Sequence, residues 1–110
     1  MTTLHGWLTE RVAAIEKLVQ DANDDETRTN TLRRCEADRR ILARHDVNPG
    51  YAASPTLAAA CNGCGWEWLQ GDLFPLVDNL SDCPELLDLA YAHGLIEAEI
   101  AALDRPGEGT

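Results

Sequence analysis

Apolar positions fall into three stretches of helical spacing, with a glycine- and proline-rich segment between the second and third. In the first stretch Leu4, Trp7, Leu8, Val12, Ile15, Leu18, Val19 and Ala22 recur at intervals of three and four, the period that lines one face of a helix. Thr2 or Thr3 can cap it, and Asn23 with the acidic run Asp24-Asp25-Glu26 closes it. The same acids suit the start of the next helix, whose N-terminal dipole attracts negative charge. That second helix is predicted from Glu26 to Asp46. On its wheel Arg33, Arg40 and Arg44 fall within about 40° of one another at 100° per residue. The opposite arc holds Leu32, Cys35, Ile41, Leu42 and Ala43, with His45 at its edge.

The third stretch starts at Pro84, with proline in the first helical position and Glu85 next, both helix-start signals. Leu86, Leu89, His93, Ile96, Ile100 and Leu103 continue it. Gly94 interrupts the pattern, either as a cap between two helices or as a weak point within one. Between the second and third stretches, Asn48-Pro49-Gly50 is turn chemistry. Residues 55–60 have room for one or two helical turns, and residues 71–82 read as irregular or as a short helix. Strand signals are weak, and a small hairpin fits best around Cys61–Trp68. The expected fold is mainly α: three main helices around a cysteine knuckle, with room for a minimal β-hairpin there. Residues 1–104 should form a single domain and residues 105–110 a disordered tail.

Composition sharpens this picture. A chain of 110 residues suits one domain. Ala and Leu dominate and aromatics are few, so the core is small and an added staple would help. The net charge of −10 opposes the whole protein acting as a nucleic-acid or anionic-membrane binder. It suits a partner with a basic surface, an acidic mimic of nucleic acid, or solubility alone. No apolar run approaches the ~20 residues of a membrane span, and no signal-peptide pattern is visible. A cytoplasmic location is therefore expected, where thiols stay reduced and a C-x-x-C pair reads as metal-binding or catalytic.

The most specific chemistry lies in "CNGCG", Cys61 to Gly65. His45, Cys61, Cys64 and Cys83 offer a thiolate and imidazole set of the kind that structural zinc takes tetrahedrally. Glycines let the turn wind tightly. Cys83 precedes a helix N-terminus, where the dipole favours a thiolate. His93 could replace His45, and Cys35 could replace either. A thioredoxin-like redox pair is a poorer fit, because no βαβ unit surrounds the C-x-x-C. Neither the H-x-E of zinc deaminases nor H-E-x-x-H is present. Four protein ligands would also leave no position for a reactive water, so no enzymatic activity is expected.

Two surface features remain. Residues 28–46 carry six arginines against Glu36, Asp38 and Asp46, a net +3, so the rest of the chain carries −13. Arg33, Arg40 and Arg44 could touch phosphate, though pairing with acids of the other helices is the simpler reading. Trp66 and Trp68 flank Glu67 and in an extended segment would point to one side. There they would cover the metal site or anchor a partner.

Taken together, "WLTERV", "LRRCEADRRILARH", the C-x-x-C and "CPELLDLAYAHG" resemble an uncharacterised domain family of actinobacteria and their phages. Trp7, Leu8 and Arg11 match its first element. Glu36, Ala37, Arg39, Arg40, Ile41, Leu42 and His45 match the second. Cys61, Cys64, Cys83, Pro84, Leu86, Leu89 and Ala90 match the rest. The link between the first two helices is short here, where longer members carry an insertion. The resemblance implies that His45 and the three cysteines act as one unit, and that the protein is of phage or actinobacterial origin and cytoplasmic, in the host's cytoplasm if phage-encoded; it implies no reaction. The expected function is a small protein-interaction module with a structural Zn2+, in a phage an accessory protein engaging a host protein. The alternative is a nucleic-acid-binding regulator using the arginine stripe. A monomer or a dimer is compatible with the pattern.

Overall fold

The structure, a computed structural model, describes residues 2–107. Its first helix, α1 (Leu4–Val19), starts where Thr3 turns extended and its Oγ1 accepts from the Gly6 N–H at 3.2 Å, satisfying one of the orphan donors of the first turn. A short link leads into α2 (Asp25–Arg44), capped by the Asp24 carboxylate on the Glu26 N–H. Arg28 spans the link and donates to the Ala22 carbonyl at 2.8 Å. The two helices fold back on each other, and Arg39 pairs with Glu16 across the seam.

α1 buries Leu4, Leu8, Val12 and Val19. Leu18 was expected on this face but is 77 % exposed. It lies at the edge of the buried arc, and a two-helix seam covers only a narrow stripe of each helix. α2 buries only Cys35 and Leu42. The result is an elongated molecule, 57 × 26 × 22 Å, with a core concentrated near the start of α1. There α3 (Pro84–Ala92) packs Leu86, Leu89 and Ala90 against Leu4, Leu8 and Val12.

Gly94 acts as a cap between two helices. With φ +91°, it lets its own N–H reach the Tyr91 carbonyl and the Leu95 N–H reach the Ala90 carbonyl, both at 3.0 Å. This paired pattern stops α3 through a left-handed residue. A short α4 (Glu97–Ala101) follows, its first turn closed by Glu99 accepting from the Ile96 N–H. The chain then returns to its beginning, where the Asp104 N–H donates to the Thr2 carbonyl at 3.0 Å. Of the expected tail, Arg105 holds Asp82 through two bonds of 2.9 and 2.7 Å. The Pro106 carbonyl accepts from Asn79, and residues 108–110 lie outside the described residues.

The long segment between α2 and α3 holds the one sheet among the described residues, a hairpin of β1 (Trp66–Leu69) and β2 (Asp72–Pro75). It begins after the second knuckle cysteine, so only its first strand falls in the stretch expected for a hairpin. Gln70 and Gly71 both adopt positive φ, at 53° and 84°, the conformation of a two-residue turn that matches strand twist. Pro75 sits at the end of an edge strand, where the missing N–H costs no ladder bond. The fold is thus mainly α, with a minimal hairpin beside the cysteines, and no helix is long and apolar enough to cross a membrane.

The Asp82–Arg105 pair is the best-formed link to the C-terminal segment. Its hydrogen bonds from Arg105 hold the Asp82 carboxyl below its ordinary value. A depressed carboxylate contributes stability that is present above its unfolded pKa, about 4, and lost as pH falls through the lower folded value. Because the pair is largely solvated, Arg105→Ala should cost less than about 1 kcal/mol at pH 7. Urea unfolding should resolve that cost at pH 7 and find it shrinking as pH falls below about 4.

Candidate metal centre

Three separate pieces of chain bring the candidate ligands together. The first is the C-terminal end of α2. His45 caps the helix with its N–H on the Ile41 carbonyl at 2.9 Å and turns out of helical geometry at φ −103°, ψ 72°. The neighbouring helix end is held by His5 of α1, whose Nε2 lies 2.8 Å from the Leu42 carbonyl oxygen. That carbonyl is in the last turn of α2, where carbonyls lack helical partners.

The second piece is a single 3-10 turn, Asn62–Cys64. It is fixed on both sides by backbone bonds. The Cys61 N–H donates to Val77 at 3.1 Å, the Asn62 N–H to Asp46 at 2.9 Å, and the Leu76 N–H to Gly65 at 3.1 Å. The third piece is Cys83, the N-cap of α3, which follows the 3-10 turn Leu80–Asp82. Asn79 sets that turn by accepting from the Ser81 N–H at 2.9 Å, while the Leu80 N–H reaches the Ala59 carbonyl at 2.7 Å.

The four ligand atoms converge. His45 Nδ1 lies 3.4 Å from Cys61 Sγ, 3.6 Å from Cys64 Sγ and 3.3 Å from Cys83 Sγ. Cys64 Sγ and Cys83 Sγ are 3.5 Å apart, and all four atoms lie within 4.8 Å of one another. Tetrahedral zinc, with bonds of about 2.3 Å to sulfur and about 2.0 Å to nitrogen, would place sulfur and nitrogen about 3.5 Å apart and two sulfurs about 3.8 Å apart. The cluster therefore has the size of a tetrahedral shell around one small ion. Cys61 and Cys83 are fully buried, Cys64 is half-buried, and no disulfide joins any of them.

Electrostatics point the same way. Burial pushes the Cys61 thiol up, and burial together with the neighbouring thiols pushes the Cys64 thiol up. Without a cation Cys61 and Cys64 therefore favour the neutral thiol. A dication at the centre of the cluster reverses the sign, because the ion's own charge dominates local pKa values. The donor set is soft and nitrogen-containing, and four protein ligands can close a coordination shell with no position left over.

Neither alternative ligand takes part. The His93 Nε2 lies 2.9 Å from Asp38 Oδ2, tying the end of α3 to α2. Cys35 is buried in the helical core cluster, outside the four-residue group. No family model, curated protein or solved structure matches this chain. The family resemblance therefore rests on its motif residues, and the reading of the centre rests on its geometry.

The predicted surface residues are dispersed. Trp66 donates from its indole nitrogen to Asn62 Oδ1 at 3.1 Å and packs on Tyr51 with ring centroids 5.1 Å apart. It flanks the knuckle. Trp68 lies two residues along the same strand but is 72 % exposed. Arg40 pairs with Glu36 one turn away, whereas Arg33 and Arg44 are exposed and make no ion pair among the described residues.

Sequence reasoning missed the roles of Asn62, Asn79 and Gly63. Gly63 has the clearest physical cause. A Cβ there would lie 2.7 Å from the Arg44 carbonyl carbon, closer still to its oxygen, and 3.0 Å from His45 Nδ1. The turn can meet the end of α2 only because position 63 has no side chain. Gly63→Ala should therefore push Cys61 and Cys64 away from His45 and cost several kcal/mol. Gly71→Ala serves as the control: it meets nothing within 4 Å and strains only an exposed turn. Loss of bound metal and a lowered melting temperature in the first variant, with metal retained in the second, is the expected outcome.

Proposed function

We propose that this chain is a small zinc-stabilised binding module, with His45, Cys61, Cys64 and Cys83 holding a structural Zn2+ and the hairpin beside them presenting a partner-binding surface. The observation that carries this reading is the four-atom cluster. Its three thiols and one imidazole match structural zinc sites, and a shell filled by protein leaves no place for substrate or water. Such an ion offers staple energy of about 10–16 kcal/mol in small zinc domains, and this fold has a modest core to spend it on.

The hairpin supports the interaction half of the reading. Trp68, Leu69, Phe74 and Leu76 are all exposed; by the strand register Leu69 and Phe74 share one face of the hairpin and Trp68 lies on the other. A shallow cleft beside β2 is lined by Leu57, Leu73, Phe74 and Pro75 with Asp72 and Asp78, and by no cation. That lining suits a protein segment with an apolar anchor flanked by Lys or Arg, in keeping with the −10 net charge. The phage-and-host setting implied by the motif resemblance is where such a partner would be sought. The nucleic-acid reading has less support. With Arg40 engaged by Glu36, Arg33 and Arg44 remain from the stripe, and two phosphate contacts release few counterions.

Two measurements test the two halves separately. Elemental analysis and native mass spectrometry should find one zinc per chain. Cys61→Ser, Cys64→Ser, Cys83→Ser and His45→Ala should each lose it, and strong chelation should collapse the near-ultraviolet dichroism. An unchanged fold after metal removal would sink the zinc half. For the surface, peptides selected from a random library on the zinc-loaded protein should combine an apolar residue with neighbouring Lys or Arg. Leu69→Ala with Phe74→Ala, which strips one face of the hairpin, should weaken them at least about 30-fold, the scale of hot-spot loss, at unchanged zinc content. Undiminished binding by that double variant would remove the hairpin from the interface.

A further inference from the structure

A second cleft lies away from the cysteines, where α1, α2 and the end of α3 meet. It encloses about 370 Å³, within the range of small-molecule sites. Arg11 and Arg34 stand on its two sides, Ile15, Cys35 and Ala92 supply apolar wall, and Asp38 and His93 complete it. The spacing is built in by the helices: Thr31, Arg34, Cys35 and Asp38 are one face of α2, and Arg11 and Ile15 are one face of α1.

Four arginines make no ion pair among the described residues, and two of them, Arg11 and Arg34, line this one cleft. Acids outnumber cations 19 to 9, so carboxylate partners are plentiful. Arg28, Arg39, Arg40 and Arg105 each have one. Arg11 and Arg34 make no hydrogen bond or ion pair among the described residues, yet both line the same cleft. The nearby carboxylates are already engaged: Asp38 by His93 at 2.9 Å, and Glu16 by Arg39. Arg11 and Arg34, both exposed, line this mixed polar and apolar cleft, and a guanidinium offers the paired N–H donors that suit a planar or tetrahedral oxyanion. Cys35 adds no reactivity, because burial and the charges of Glu16 and Asp38 push its thiol up. It serves as wall.

We propose that this cleft binds a small organic oxyanion, a carboxylate or a phosphate ester, with its charged head between Arg11 and Arg34 and its apolar body against Ile15 and Ala92. This is independent of the zinc and hairpin readings, since no residue is shared.

The test is a titration of the full chain followed by amide NMR, with hexanoate, hexyl phosphate and inorganic phosphate as probes. Saturable shifts confined to residues 11–15, 31–38 and 92–94 are expected with hexanoate or hexyl phosphate, and the stronger of the two identifies the head group. Arg11→Gln with Arg34→Gln should weaken binding at least about tenfold, as loss of charge-assisted bonds does. Arg33→Gln with Arg44→Gln, which removes the same charge elsewhere, should not. Three results would each overturn the proposal: strictly linear shifts for both organic probes up to about 10 mM, beyond any useful affinity; equal weakening by the control pair; or inorganic phosphate binding as tightly as the organic probes, which would mean that the apolar wall contributes nothing.

Discussion

The contact between the end of α2 and the turn Asn62–Cys64 governs this molecule. Here backbone meets backbone with no room for a side chain at Gly63, and the approach sets His45 Nδ1 against two thiols at once. Cys83 then brings in the start of α3. Residues 46–83 contain only a two-stranded hairpin and short turns, a segment with little core of its own. Its anchor points are the ligands at its two ends and in its middle. An ion held among them would tie three pieces of chain whose separate tertiary contacts are few, at an energy comparable to the whole net stability of a typical domain.

Around that contact α2 serves as the spine. All three histidines meet it: His5 at the Leu42 carbonyl, His45 as its cap, and His93 at Asp38. The two inter-helix histidine bonds are partly buried, which gives them more weight than the exposed arginine pairs, whose net contribution in water is small. They fix the rotation of α1 and α3 about α2 where the apolar core is narrow. Rotation matters because the same geometry sets Arg11 opposite Arg34 and points Cys83 at His45.

A closed ligand shell has a functional corollary. An ion held by all four side chains would keep no position for a reacting group, which would leave function to the surfaces around the cluster and along the helices. The hairpin is attached directly to the knuckle, since Gly65 links Cys64 to β1 and accepts from Leu76 just after β2. Its exposed apolar residues are therefore held rigidly at their base. The arginine-lined cleft depends instead on the helix seam, so the two surfaces draw on different parts of the fold.

The amino-acid sequence by itself determined the helices and the candidate ligands. The three- and four-residue spacing of Leu4, Leu8 and Val12, the Asp24 cap and Pro84 at a helix start all act within a few residues. So does a C-x-x-C turn, which is why these features were legible. What lay beyond reach was every choice between chemically equivalent groups. His45 and His93 are both imidazoles at helix ends, and Cys35 is as much a thiol as Cys83; only the path of the chain places one histidine at the sulfurs and the other at Asp38. The second strand, "DLFP", carries no alternation and became visible only through its pairing with β1. Leu18 belongs to the right periodic face, yet the partner helix is too narrow to cover it. Gly63 looked like a turn residue and proved to be a clearance for the Arg44 carbonyl, nineteen positions earlier. Local preference sets elements because its forces act between neighbours in sequence, whereas ligand choice, burial at a seam and steric clearance are settled between residues that meet only after the chain has folded.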